Sequence, residues 1–219
     1  MGQLVDEPPR LRQSSAVTST ASVDQLARTT EICAGLVAGI EPTRWSAPTP
    51  CSQWTVRDLV VHLILGQHVF ADALTSDAPP TVPDTTRYLE SPDADLPAAF
   101  DIAARLLQQA FSTPDAMTRV ITVPFGTIPG AVALHLRIIE MLVHGWDLAV
   151  ATDTAVQFPD DVAAQEIIFS EANLPRVPTG RQRFAEPRAV AGAAPAIDRL
   201  AALLGRDVQT DGSSGLAPS

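Results

Sequence analysis

The chain has 219 residues, 46% of them hydrophobic, which suits one soluble domain with a sizeable core. Its formal charge is −10 and all 15 basic residues are arginine, so nucleic acid and anionic membrane surfaces, which attract positive charge, are poor partners. No apolar run reaches the roughly 18 residues of a membrane span. The N-terminus lacks a signal-peptide layout, and two cysteines, Cys33 and Cys51, are too few for a disulfide framework; a cytoplasmic protein with reduced thiols is expected.

Residues 1–21 are rich in Ser, Thr and Pro without periodicity and are expected to be a disordered extension. Apolar spacing at Leu26, Thr30, Cys33, Val37 and Ile40 predicts a first helix over Val23 to Ile40, with Cys33 inward as a small buried hydrophobe. A Pro-punctuated link, EPTRWSAPTPCSQW, leads to a helix start at which Thr55 is the N-cap and Asp58 completes a capping pattern.

The second helix is expected from Val56 to Leu74, with His62 in the middle of its apolar face. A core-facing histidine is either a satisfied structural residue or a ligand. Asp58, one turn earlier, either orients that imidazole or serves only as the cap, and Gly66, one turn later, leaves space for an ion or substrate. His68 projects about 120° away and is set aside. Thr75 to Leu96 reads as a long loop, a functional cover, a crossover or plain disorder.

A third helix is predicted from Pro97 to Phe111 with Ala98, Ile102, Ala103, Leu106, Leu107 and Ala110 buried. TRVITVPFGTIPG is β-branched, ends in turn signals, and reads as a short extended segment.

The central element is the helix predicted from Pro129 to Thr152, with Pro129 in its first turn. It is apolar on nearly every side and so must be buried, yet Arg137, Glu140, His144 and Asp147 fall within an arc of about 80°. Buried charge needs partners. Glu140 and His144 are spaced to share one metal ion; the alternative is an ion pair inside a bundle. His135 lies about 160° from that seam and is set aside. Trp54 and Trp146 are read as core and packing residues ahead of the alternative, substrate stackers. A fifth helix is expected from Asp160 to Asn173, PRVPTGRQRFAEPRAV as irregular, and a last helix from Ala194 to Leu204, ended by Gly205. The domain is bounded at 22–206, with 207–219 a flexible tail. Four main helices with one long crossover make a bundle, in which His62, Glu140 and His144 can meet as a facial metal-ligand set.

The stretches PTPCSQWTVRDLVVHL, VPFGTIPGAVALHLRIIEMLVHGWDLAVATD and FAEPRAVAGAAPAIDRLAALLGRD resemble the mycothiol-dependent maleylpyruvate isomerase-like branch of the DinB superfamily, over residues 23–207. The resemblance implies an all-α fold: a DinB-like four-helix bundle in up-down-down-up order with a long crossover, followed by short C-terminal helices. It also implies a divalent metal, zinc with nickel as the alternative, held by His62, Glu140 and His144. Isomerase-type members carry a further C-terminal domain that this chain is too short to contain.

The function expected from residues and resemblance together is a metal-dependent thiol S-transferase or isomerase. It would act on a small electrophilic metabolite with a low-molecular-weight thiol such as mycothiol. Arg137 would bind a substrate carboxylate or neutralise Glu140, and Asp147 would orient His144 or merely pair with Arg137. A homodimer is compatible with this reading. The alternatives are a metal Lewis acid working without a thiol, as isomerase, cyclase or hydrolase, and a non-catalytic metal-binding bundle.

Overall fold

The computed structural model describes residues 20–52, 54–77, 88, 94–173 and 185–208, and its first three α-helices begin where short polar side chains satisfy free amides. Helix α1 (Val23–Ala38) opens with a capping box: Ser22 Oγ accepts from Gln25 N at 3.2 Å, and Gln25 Oε1 accepts from Ser22 N at 2.9 Å. After a 3₁₀ turn at Pro42–Arg44, helix α2 (Val56–Thr75) repeats the device with the expected Thr55 and Asp58. Asp95 caps helix α3 (Leu96–Phe111).

The β-branched stretch forms a two-stranded antiparallel hairpin, β1 (Val120–Val123) and β2 (Gly126–Pro129), in which Val120 pairs with Pro129 and Val123 with Gly126. Pro129 therefore ends β2 and caps helix α4 (Gly130–Thr152) instead of standing in its first turn. Helix α5 (Asp160–Asn173) has the expected bounds. Helix α6 is shorter than expected, Ala196–Leu203, and is followed by Gly205 at φ +90°. Residues 1–19, most of the long loop after α2, residues 174–184 and the tail from 209 lie outside the described residues, while Ala21, expected in the disordered extension, is buried in the core.

Both α1 and α2 pack against α3 and α4, so the order around the core is α1, α3, α2, α4. This is the all-helical DinB-like bundle. Helices α5 and α6 pack on each other and on α4, forming a second layer. With the bundle on one side and this layer on the other, every residue from Arg137 to Ala149 is buried.

Helix α3 departs from expectation. Its buried residues are Leu96, Phe100, Ala103, Ala104, Leu107, Ala110 and Phe111, while Ile102 and Leu106 are 50% and 42% exposed. Two overlapping helical stripes exist in this segment; the one containing both phenylalanines removes more apolar surface from water and wins, turning the helix by roughly a quarter of a revolution.

Candidate metal centre

Neighbouring helices α2 and α4 bring their polar residues to one point. His62 Nε2 lies 2.9 Å from Glu140 Oε2, and His144 Nε2 lies 3.3 Å from the same oxygen. One donor atom from each residue falls within 4.8 Å of the others. Ligand bonds of about 2.0–2.2 Å around one cation require donor separations of this order, and two imidazoles with one carboxylate are a donor set that zinc accepts. The residues fit a divalent ion. Exposure is graded across the site: the His62 side chain is 30% accessible, Glu140 11% and His144 5%, so the cluster is most exposed at His62.

The electrostatics follow from this packing. Burial alone would raise Glu140, but hydrogen bonds from His144 and His62 hold its carboxyl well below the usual range. Burial lowers His62 against the upward pull of Glu140. For His144 burial also works downward, yet its bonds to Asp147 and Glu140 prevail and raise it. The two imidazoles are therefore unlike: the surroundings disfavour the protonated form of His62 and favour that of His144.

Behind His144 runs a buried relay. His144 Nδ1 donates to Asp147 Oδ2 at 3.0 Å, and Asp147, with no exposed surface, receives Arg206 through Nη2 to Oδ2 at 2.8 Å and Nε to Oδ1 at 3.2 Å. Burial would raise Asp147, but His144 and Arg206 lower it. This fixes the His144 tautomer, leaving Nε2 for the metal side.

The structure decides the alternatives around this seam. Asp58 Oδ2 accepts from Thr55 N at 3.0 Å and Thr55 Oγ1 at 2.6 Å, and no hydrogen bond joins it to His62 among the described residues; it is the cap. Gly66 does not open space for a ligand. A Cβ there would come 2.7 Å from Arg137 Nη1, so glycine admits the buried guanidinium, which also lies 5.0 Å above the Phe70 ring. Of the two roles expected for Asp147, the bond to His144 is the one formed, and the arginine paired with its carboxylate is Arg206. His135, as expected, points elsewhere and bonds Glu166.

Two site residues do more than the sequence reading assigned them. Trp54 is partly exposed and leans on both imidazoles of the cluster, 4.4 Å from the His62 ring centre and 5.7 Å from that of His144. Its backbone is fastened by Trp54 N to Cys51 O at 2.8 Å and by Thr49 Oγ1 to Trp54 O at 2.9 Å. The indole therefore forms a wall of the site, whereas Trp146 is a packing residue that also donates to Asp198. The other is Arg206, at the edge of the expected tail. Its signal is one arginine just past the end of a helix that already carries Asp198 and Arg199, too little to place it beside Asp147.

Residues 26–149 match the profile of the mycothiol maleylpyruvate isomerase N-terminal domain. An uncharacterized protein of Mycobacterium tuberculosis, found in strains CDC 1551 / Oshkosh and ATCC 25618 / H37Rv, is 32% identical over 184 residues, covering 83% of this chain and 96% of the relative. Among solved structures, a histidine-to-alanine mutant of mycothiol-dependent maleylpyruvate isomerase superposes with TM-score 0.54 at 17% identity, and another crystal structure of that isomerase with TM-score 0.52 at 16%. Each alignment covers 65% of this chain and 65% of the isomerase, and at that identity the likeness is one of fold.

Proposed function

The chain belongs to the mycothiol maleylpyruvate isomerase N-terminal domain family, and from that premise we propose that it is a divalent-metal-dependent thiol S-transferase or isomerase. Its substrate is a small electrophilic metabolite and its co-substrate a low-molecular-weight thiol of the mycothiol kind. The observation that carries this reading is the convergence of His62, Glu140 and His144 within 4.8 Å, with partial access on the His62 side.

His62, Glu140 and His144 would hold zinc, with nickel as the alternative. When bound there, the cation supplies Lewis acidity, which lowers the pKa of a thiol or polarises a carbonyl. The chain supplies the rest. Asp147 holds the His144 ring in register, and the Trp54 indole walls the approach and offers an aromatic face to sulfur or to a planar substrate. Burial depresses His62 and the charge of Arg137 adds to that effect, so Arg137 provides a fixed positive field that favours an anionic thiolate or a substrate carboxylate. Three protein ligands and an accessible side form the catalytic pattern, since structural zinc sites are closed by a fourth protein ligand.

Metal analysis followed by calorimetry tests this. Purified protein reconstituted with zinc is expected to retain about one equivalent and to bind mycothiol, and His144→Ala is expected to lose both. Less than a tenth of an equivalent in the wild type removes the metal reading. Full metal occupancy without thiol binding or thiol-adduct formation removes the thiol and leaves a Lewis-acid enzyme or a binding protein.

A further inference from the structure

We propose that Arg206 is a positioning residue of the metal centre, and that residues 196–206 form a latch whose docking on α4 is thermodynamically coupled to metal binding. This rests on the reading that His62, Glu140 and His144 hold a divalent cation. The profile match covers residues 26–149, and the latch lies C-terminal to that stretch.

Asp147 is the point of contact. A carboxylate with no exposed surface must be fully partnered. Its hydrogen-bond partners among the described residues are His144 and Arg206, and Oδ2 is shared between them. The Arg206 fork grips both oxygens, which fixes the plane of the carboxylate as well as its position. The direction from which Asp147 receives His144 Nδ1 is thus set from the C-terminal segment, and with it the aim of Nε2 at the cation.

Arg206 is itself held in place. Its Nη1 donates to Leu204 O at 2.9 Å and its backbone N to Ala201 O at 3.0 Å. Gly205 makes this possible: at φ +90° it turns the chain, and a Cβ on it would lie 2.5 Å from Ala185 Cβ and 2.9 Å from Ala185 C. A second attachment reaches the adjacent residue of α4, where Trp146 Nε1 donates to Asp198 Oδ1 at 2.9 Å. Asp160 of α5 accepts from Ala196 N at 2.9 Å, and Leu200, Ala201 and Leu204 are fully buried. Trp146 and Asp147, next to each other in sequence and beside a metal ligand, are therefore both bonded to the latch. Coupling is reciprocal: whatever factor the docked latch adds to metal affinity, metal binding must return to latch docking.

Zinc titration calorimetry on the full chain, combined with hydrogen exchange of the amides of residues 196–206, tests this. Arg206→Gln, which keeps hydrogen-bonding capacity but loses the charged fork, is expected to weaken zinc binding roughly 10- to 100-fold. Arg206→Lys, which restores the charge as a point, should recover part of that loss. Zinc should slow exchange in residues 196–206 of the wild type, and the slowing should vanish in Arg206→Gln and in His144→Ala. An arginine that only stabilises the fold would lower the melting temperature in both Arg206 variants without moving zinc affinity. The proposal is overturned if the folded Arg206→Gln protein binds zinc within twofold of wild type, or if zinc leaves exchange in residues 196–206 of the wild type unchanged. Should Arg206→Gln not fold, Arg206→Lys and the wild-type exchange experiment decide alone. A wild type that binds no zinc at all defeats the underlying metal reading, an outcome separate from zinc binding that ignores the latch.

Discussion

His144 has a carboxylate at each ring nitrogen, Glu140 on Nε2 and Asp147 on Nδ1, and this makes metal binding a proton exchange. Its folded pKa is raised above 6.5 while that of His62 is lowered. Of the two imidazoles, His144 is thus the one from which a proton is harder to displace. Zinc affinity is expected to rise as pH increases, by up to about tenfold per unit below the folded pKa of His144, and to level off above it. Calorimetry over a series of pH values in two buffers of different ionisation enthalpy should show proton release that fades as pH rises through the folded pKa of His144; affinity independent of pH would contradict this account. In the metal-free protein the carboxylates act in the opposite sense. Glu140 and Asp147 have depressed pKa values, so their stabilisation is complete above the ordinary carboxylate range and is lost as pH falls through their folded values.

At this scale the sequence is legible where chemistry and periodicity coincide. His62 stands on an otherwise apolar helical face, and Glu140 and His144 form with Arg137 and Asp147 a polar seam on a mostly apolar helix, so their polarity marks them. Arg206 does not stand out in this way, because what matters is an ion pair across 59 residues, and one arginine after an Ala- and Leu-rich helix carries no trace of its partner. Trp54 is ambiguous for another reason: an indole against an imidazole is both packing and site wall, and only the exposed face distinguishes them.

Elements are legible in proportion to how local their determinants are. The cap at Thr55 and the bounds of α5 depend on a few adjacent residues, and both emerge as expected. The rotation of α3 depends on which of two stripes meets a larger partner surface, which is a tertiary contest. The glycines show the same division. Gly35 lies inside α1, and a Cβ added to it would meet nothing within 4 Å, so Gly35→Ala is expected to stabilise by about 0.5–1 kcal/mol through helix propensity. At Gly130 a Cβ would lie 1.8 Å from the Ala116 carbonyl oxygen, a backbone atom that cannot swing aside, and Gly130→Ala is expected to cost about 3 kcal/mol. Urea midpoints should move in opposite directions with unchanged slopes; a neutral Gly130→Ala would mean that the hairpin-to-helix junction is looser than its packing implies.

The whole molecule is organised by α4, which carries a second polar contact away from the metal seam. His135 Nδ1 meets both oxygens of Glu166 on α5, at 3.0 and 2.9 Å, and the His135 ring stacks on Phe169 with centres 4.0 Å apart. Glu166 has no exposed surface and also receives Gln165 Nε2 at 3.3 Å, while Gln165 reaches Gln25 of α1. The C-terminal layer is thus pinned to the bundle by a buried pair whose desolvation cost is offset only while both partners remain. Glu166→Ala or His135→Ala alone is expected to cost about 3–5 kcal/mol, because each leaves a buried polar group stranded, whereas His135→Leu with Glu166→Leu should be far less damaging. The double variant should also bind zinc within twofold of wild type, since neither residue touches Glu140, His144, Asp147 or Arg206 through any hydrogen bond among the described residues. Additive losses in the double variant would show that the pair is not an energetic unit. A fall in zinc affinity would show instead that the two seams of α4 communicate through its backbone, making the central helix one rigid body from α5 to the metal.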